Sequence, residues 1–257
     1  MSVLSQNRYR SIDNSIKIAI VDTGISSLCR SSFDNIIAGV SVKQSANNCG
    51  VFFEVGCYED HHGHGTAIAS LLSVFCPRVQ LIPVCIAQIL DGQHKFCIPE
   101  KVLAQGIDWC IEQGIRLVNV SYSIEEVSAN GPLALVCTKA AKNNIIIVAA
   151  YRNACHKPVY PATFPSVIGV SIQKNLEHSQ IAIVSETNFD IAAFGGPYQI
   201  TTLDNKTQVV RGTSFATAQV TGMVARMLVI KPFLTTKQVF NYFKKYAIVL
   251  GDNDIQG

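Results

Sequence analysis

Three side chains in this sequence are of the types that together turn a hydroxyl into a nucleophile, and each sits among small residues. Ser214 lies in Arg211-Gly212-Thr213-Ser214-Phe215-Ala216-Thr217-Ala218, between a glycine-led turn and an apolar run spaced like a helix. A serine hydroxyl attacks poorly until an imidazole takes its proton, and the imidazole needs a carboxylate to fix its tautomer and stabilise its charged form. The chain offers His64, in His62-Gly63-His64-Gly65-Thr66-Ala67-Ile68-Ala69-Ser70, and Asp22, in Ile18-Ala19-Ile20-Val21-Asp22-Thr23-Gly24. Taken singly, Asp22 reads as a turn residue and Ser214 as a helix N-cap. The set of three points to nucleophilic catalysis.

The elements that must position these residues are visible as hydrophobic patterns. Residues 16–22 form an apolar, β-branched run ending in Asp22, the pattern of a buried parallel strand whose carboxyl end opens into a loop, where sites gather in open α/β sheets. His64 opens a predicted helix in which Gly65, Ala67, Ala69 and Ser70 allow close packing, Ile68, Leu71, Leu72 and Phe75 supply the apolar face, and Pro77 ends the run. Ser214 opens another, to about Val229, closed by Pro232. Between them, strands at 79–86, 115–120 and 145–150 alternate with helices at 99–113 and 131–143. Shorter strands are predicted at 36–42, 181–184 and 190–194, with a hairpin of 199–202 and 208–211 turning through Asp204-Asn205. Thr235 or Thr236 caps a last helix to about Tyr246. Residues 45–59 and 151–165 read as loops, and Asp91-Gly92-Gln93-His94 as a turn. Strand and helix alternate throughout, so the expected fold is α/β, a three-layer sandwich with a mostly parallel central sheet. A polar extension, 1–15, precedes a single domain over 16–257.

In order, the motifs D-[ST]-G, H-G-[TH]-x-[VI]-A and G-T-S-x-A resemble those of the subtilisin-like serine peptidases, with separations of 22 to 64 and 64 to 214. Tyr160-Pro161-Ala162-Thr163-Phe164-Pro165-Ser166-Val167-Ile168 is similar to a fourth family segment, and the likeness runs from about Ile16 to about Ile230. The resemblance implies a subtilisin-like fold and a catalytic triad of Asp22, His64 and Ser214. It implies Asn153, in Val148-Ala149-Ala150-Tyr151-Arg152-Asn153, as an oxyanion donor beside the N-terminus of the Ser214 helix. It also implies a peptide or protein substrate, bound as an extended strand along Ser121-Tyr122-Ser123.

The pattern departs from the family at several places. Ser123-Ile124 and Arg152 stand where glycines are usual, beside the pocket for the residue preceding the scissile bond, so a reshaped pocket is expected. Arg152 would either favour an acidic substrate residue or point to solvent. Ala218-Gln219 replaces a Pro-His pair, which alters packing more than chemistry. The residues between Ser70 and Val79 leave no room for the calcium loop that interrupts this helix in many members, so no calcium is expected there. The function implied is a serine endopeptidase dedicated to processing, for example removal of a leader from a ribosomally made peptide precursor. Two alternatives stay open: a ligase or macrocyclase using the same acyl-enzyme, and a degenerate protein that only binds peptides.

Composition narrows the remaining classes. A chain of 257 residues, 48% hydrophobic and 15% charged, can bury a substantial core. The net charge of +3 is dispersed, with no basic run for nucleic acid or a membrane surface. Residues 1–15 hold no apolar stretch of signal-peptide length, and no segment nears the roughly 18 uninterrupted apolar residues of a membrane span. The nine cysteines are odd in number and form no C-x-x-C pair, which favours reduced thiols. The expectation is a cytoplasmic protein. His61, His62 and His64 lack the spacing of a zinc site, and no G-x-G-x-x-G follows Asp22, so neither metal nor other cofactor is expected. His94, His156 and His178 read as surface or structural, Cys155 as packing. Nothing in the sequence indicates an oligomeric state.

Overall fold

The strand and helix patterns fold into a nine-stranded sheet covered by helices on both faces, in a computed structural model that describes residues 16–32, 35–45, 50–87, 98–152, 157–185, 188–201 and 206–248. In chain order the elements are β1 (Lys17–Asp22), β2 (Val40–Gln44), β3 (Val51–Val55), α1 (His64–Phe75), β4 (Gln80–Cys85), α2 (Glu100–Glu112), β5 (Leu117–Val120) and α3 (Pro132–Lys142). They continue as β6 (Ile146–Ala150), β7 (Ile168–Ile172), β8 (Ile181–Ser185), β9 (Asp190–Ala193), β10 (Tyr198–Thr201), β11 (Thr207–Val210), α4 (Thr213–Ile230) and α5 (Thr236–Tyr246).

The strand order is β3-β2-β4-β1-β5-β6-β7-β9-β8. Every neighbouring pair from β2 to β9 is parallel, and only the two edge strands run antiparallel. β1 lies inside the parallel region, between β4 and β5, so its carboxyl end is held on both sides. Alternation along the strands divides the core. Ile18 and Ile20, with Ile146 and Val148, face a cluster shared with α1, α4 and α5. Ala19 and Val21, with Ile147 and Ala149, face a second cluster shared with α2 and α3. The two helical layers confirm the three-layer α/β architecture expected from the sequence.

α4 is long and apolar enough to cross a membrane by composition, but 67% of that stretch is buried inside the protein, with Val220, Val224 and Leu228 in the core. α5 starts where the sequence places it: Thr235 Oγ1 accepts from Gln238 N–H, and the Gln238 side chain accepts from Thr235 N–H, a reciprocal cap. Pro132 begins α3, where its missing N–H costs nothing.

Two strands depart from the sequence-based expectation. β3 falls within the predicted 45–59 loop because Val-Phe-Phe-Glu-Val does not alternate; it is an edge strand with Phe52, Phe53 and Val55 exposed. β7 was not predicted because Gly169 interrupts its apolar run, and glycine weakens a strand. The glycine is required there: a Cβ would lie 2.6 Å from the Tyr151 ring and 2.7 Å from Asp190 Oδ1. The early strand also shifts, to 40–44, leaving Ile36 as a single bridge to Leu81. The turns at 91–94 and 204–205 lie outside the described residues.

The contact that needs Gly169 also carries a buried charge. Tyr151 Oη donates to Asp190 Oδ1 at 2.9 Å, and burial pushes the Asp190 carboxyl up to about 6, with the tyrosine bond pulling the other way. A folded-state pKa above the ordinary carboxylate value of about 3.9 favours the fold in acid and is a loss as pH rises through about 6. Asp190→Asn should therefore match the parent in stability near pH 4 and exceed it by about 1–3 kcal/mol near pH 8, measured by urea unfolding at both pH values. An equal change at both would rule out a buried, titrating Asp190.

Candidate active site

Asp22 ends β1 and is almost wholly buried, and His64 is the first helical residue of α1. They meet: His64 Nδ1 and Asp22 Oδ1 are 2.7 Å apart. The same oxygen accepts from Thr23 N–H at 2.7 Å, while Asp22 Oδ2 is buried with no hydrogen-bond partner among the described residues. Burial works against a charged His64, but the charge and hydrogen bond of Asp22, with the charge of Asp60, outweigh it and raise the imidazole pKa above its ordinary value. The side chain of His64 keeps 26% of its surface exposed, against 4% for Asp22, so the imidazole can reach a substrate while the acid cannot.

The pair depends on a close approach of two backbones. A Cβ on Gly65 would lie 2.2 Å from the Gly24 carbonyl oxygen, and one on Gly24, whose φ is +110°, would lie 2.5 Å from the Tyr58 carbonyl. Across this seam Gly65 N–H donates to Thr23 Oγ1 at 2.9 Å, and Ile25 N–H donates to Tyr58 O at 2.9 Å. The small residues of both motifs thus bring the end of β1 against the start of α1.

Ser214 occupies the second position of α4, after Gly212, whose φ of +150° suits glycine. Phe215, the next residue, packs its ring 5.9 Å from the His64 ring, which sets the Ser214 turn beside the imidazole. The Ser214 hydroxyl donates to the Ser121 carbonyl at 3.5 Å, and no hydrogen bond joins it to His64. Such bonds are often loose in empty sites and tighten on substrate binding. At this position the Ser214 N–H has no intrahelical acceptor and lies at the positive end of the α4 dipole. Asn153 lies outside the described residues.

Ser121, Tyr122 and Ser123 continue from β5 past its last pairing, Val120 with Ala149. Ser121 Oγ accepts from Asn119 Nδ2 at 2.9 Å, and Asn119 Oδ1 accepts from Thr221 Oγ1 at 2.9 Å, a buried link between β5 and α4. The Tyr122 hydroxyl accepts from Ile98 N–H at 3.2 Å, so this side chain turns toward the start of α2. Ile124 exchanges two backbone hydrogen bonds of 2.8 Å with Tyr160. Arg152 forms an ion pair with Glu125. The two segments that carry bulkier residues in place of glycines are thereby bridged to one another, with the Arg152 and Glu125 side chains still 54% and 44% exposed. Gln219, at the departure within α4, is buried and accepts from Tyr198 Oη at 2.7 Å, a packing role.

Asp60, Asn119 and Glu125 were not singled out in the sequence. For Asp60 a signal existed, since an acidic residue just before a helix start is cap chemistry. Asn119 and Glu125 act through residues distant in sequence, and no local pattern marks them.

Fold and geometry together define an α/β protein with a buried Asp–His pair beside a helix-borne serine. The chain belongs to the Subtilase family, whose sequence model matches residues 13–256. A thermostable alkaline protease of Halalkalibacterium halodurans is 26% identical over 252 residues, covering 95% of this chain and 65% of that protein's length. Among solved structures, the S41 psychrophilic protease superposes with a TM-score of 0.73 at 18% identity, covering 95% of this chain and 88% of that one. An S218A mutant of the protease domain of PatA gives 0.68 at 22%, covering 94% and 90%. The prenylagaramide maturation protease PagA gives 0.66 at 20%, covering 93% and 85%. These likenesses establish the subtilisin-like fold.

Because the seam has no space for a methyl group, Gly65→Ala must push α1 away from the Thr23–Gly24 backbone. The expected cost is about 1–3 kcal/mol of stability, and any activity that depends on the Asp22–His64 bond should fall on the order of 10²-fold. Unaltered thermal unfolding would show that the seam yields without strain.

Proposed function

We propose that this chain is a serine endopeptidase. Ser214 attacks the peptide carbonyl, His64 takes the hydroxyl proton and returns it to the departing amine, and Asp22 holds the imidazole in the needed tautomer. Water, activated by His64, then hydrolyses the acyl-enzyme. The observation that carries this reading is the 2.7 Å contact of His64 Nδ1 with a buried Asp22, at the mouth of a site that also holds the start of α4. In this scheme the developing oxyanion is met by the Ser214 N–H and by Asn153. Substrate lies along Ser121-Tyr122-Ser123 as an added strand.

The narrower role is a dedicated processing protease in the cytoplasm, for example one that removes a leader from a peptide precursor. Ser123, Ile124 and Arg152, at places the family usually fills with glycine, support it, because a reshaped pocket suits fewer substrates. The likeness to a maturation protease, PagA, points the same way. Unpaired thiols at Cys29, Cys57, Cys76, Cys85, Cys110 and Cys137 fit a reducing compartment. One observation favours a second reading, a peptide binder without catalysis: the Ser214 hydroxyl bonds to Ser121 O instead of His64.

The readings separate on a peptide library incubated with the purified protein, with product masses recorded. Hydrolysis adds one water across the two fragments, and Ser214→Ala should abolish it. Asn153→Ala should lower kcat by about 10²–10³. Fragments joined to a peptide amine would identify a ligase, and peptides retained intact by parent and Ser214→Ala alike would identify a binder.

A further inference from the structure

Asp60 is 1% exposed, yet its carboxylate is among the most fully bonded side chains near the site. Its Oδ1 accepts from His62 N–H at 2.9 Å and Gly63 N–H at 2.8 Å. Its Oδ2 accepts from Thr66 N–H at 2.9 Å and Thr66 Oγ1 at 2.7 Å. Thr66 Oγ1 in turn accepts from Ser26 N–H at 3.0 Å, in the loop that follows Asp22. One carboxylate therefore ties together the loop after β1, the segment before α1 and the first turn of α1.

The start of α1 needs such a group. Its N-cap is Gly63, in a left-handed conformation with no side chain to satisfy the free N–H groups. Asp60 supplies the missing acceptors from three residues upstream, and Thr23 Oγ1 takes the Gly65 N–H. Both satisfying groups come from the seam that sets His64 against Asp22. His64 is also the first residue of a helix, where the dipole disfavours a positive imidazole. A buried carboxylate at that end offsets the dipole.

We propose that Asp60 is a positioning residue of this site: it fixes the first turn of α1 so that His64 meets Asp22, and it places a second negative charge near the imidazole. The charge of Asp60 is one of the causes that raise the His64 pKa. Among the described residues, the titratable groups that bear on His64 are Asp22 from the end of β1 and Asp60 and His62 from its own segment, while the thiol of Cys85 at the end of β4, near both carboxylates, is pushed up to about 11 by burial and stays neutral. α4 presents Ser214 and Phe215 there, neither of them charged at neutral pH.

This rests on the reading of His64 as the base, but its test does not need activity. The His64 ring titration is followed by NMR in the Ser214→Ala protein, with and without Asp60→Asn, and assigned by the resonance lost in His64→Gln. Asn keeps the shape, loses the charge and exchanges one accepting oxygen for an N–H donor, so the His64 pKa should fall by about half a unit or more. In the active enzyme the acid limb of kcat/KM should move to lower pH by the same amount, and the plateau should fall through kcat with KM little changed. A folded Asp60→Asn protein with an unshifted His64 titration would overturn the proposal. Asp60→Ser, a neutral capping residue, is the second variant; failure of both to fold would assign Asp60 to the fold alone and overturn it too. A wild-type protein that hydrolyses no peptide would sink the peptidase reading while leaving this titration to decide the role of Asp60.

Discussion

The hydrogen bond between His64 Nδ1 and Asp22 Oδ1 is the interaction to which the neighbouring structure is fitted. A carboxylate buried at the end of a central strand is costly unless its charge is matched, and the imidazole is the side chain that matches it. The bond forms only because two backbones meet without a Cβ between them, at Gly24 and Gly65. Their meeting is secured from Thr23 to Gly65, from Ile25 to Tyr58, and through Thr66 to Ser26. Remove the small residues and the acid and base separate; remove the acid and a half-buried imidazole has little reason to keep its place.

The third group is delivered from elsewhere in the chain by the same core. α1 and α4 pack on one face of the sheet, so the first turn of α4 reaches the imidazole through Phe215. Asn119 and Thr221 fasten α4 to the end of β5, the strand whose continuation passes the Ser214 hydroxyl at Ser121. Parallel strands put all their carboxyl ends on one side, which is why Asp22, Ser121 and Arg152 converge although they follow three different strands. The Arg152–Glu125 pair links the last two at the surface.

The sequence disclosed β1, β4, β5 and β6 at the centre of the sheet, the α helices and the residues of the Asp–His pair, because each carries a local signal. Buried strands are continuous apolar runs, the helices have caps such as Thr235, and the site residues lie in short motifs rich in small residues. What stayed hidden depends on contacts between distant segments. β7 contains a glycine that only the nearness of Tyr151 and Asp190 explains, and β3 is an exposed edge whose partner, β2, sits across a loop. Arg152 stood out in the motif as an unusual residue, but its partner Glu125 did not, since an ion pair between two loops leaves no periodicity. Asp60 caps α1 from ahead of its N-cap, Gly63, and reaches the Thr66 N–H in the first turn, further than a residue at the usual N-cap position does.

The measurement that bears most directly on the proposed chemistry is labelling of the folded protein with a fluorophosphonate, with the adduct located by peptide mass spectrometry. The account predicts one stoichiometric adduct on Ser214, lost in Ser214→Ala and strongly slowed in His64→Ala. A folded protein that takes up no label, or labels Ser214 as fast without His64 as with it, would contradict the assignment of His64 and Ser214 as an activated pair.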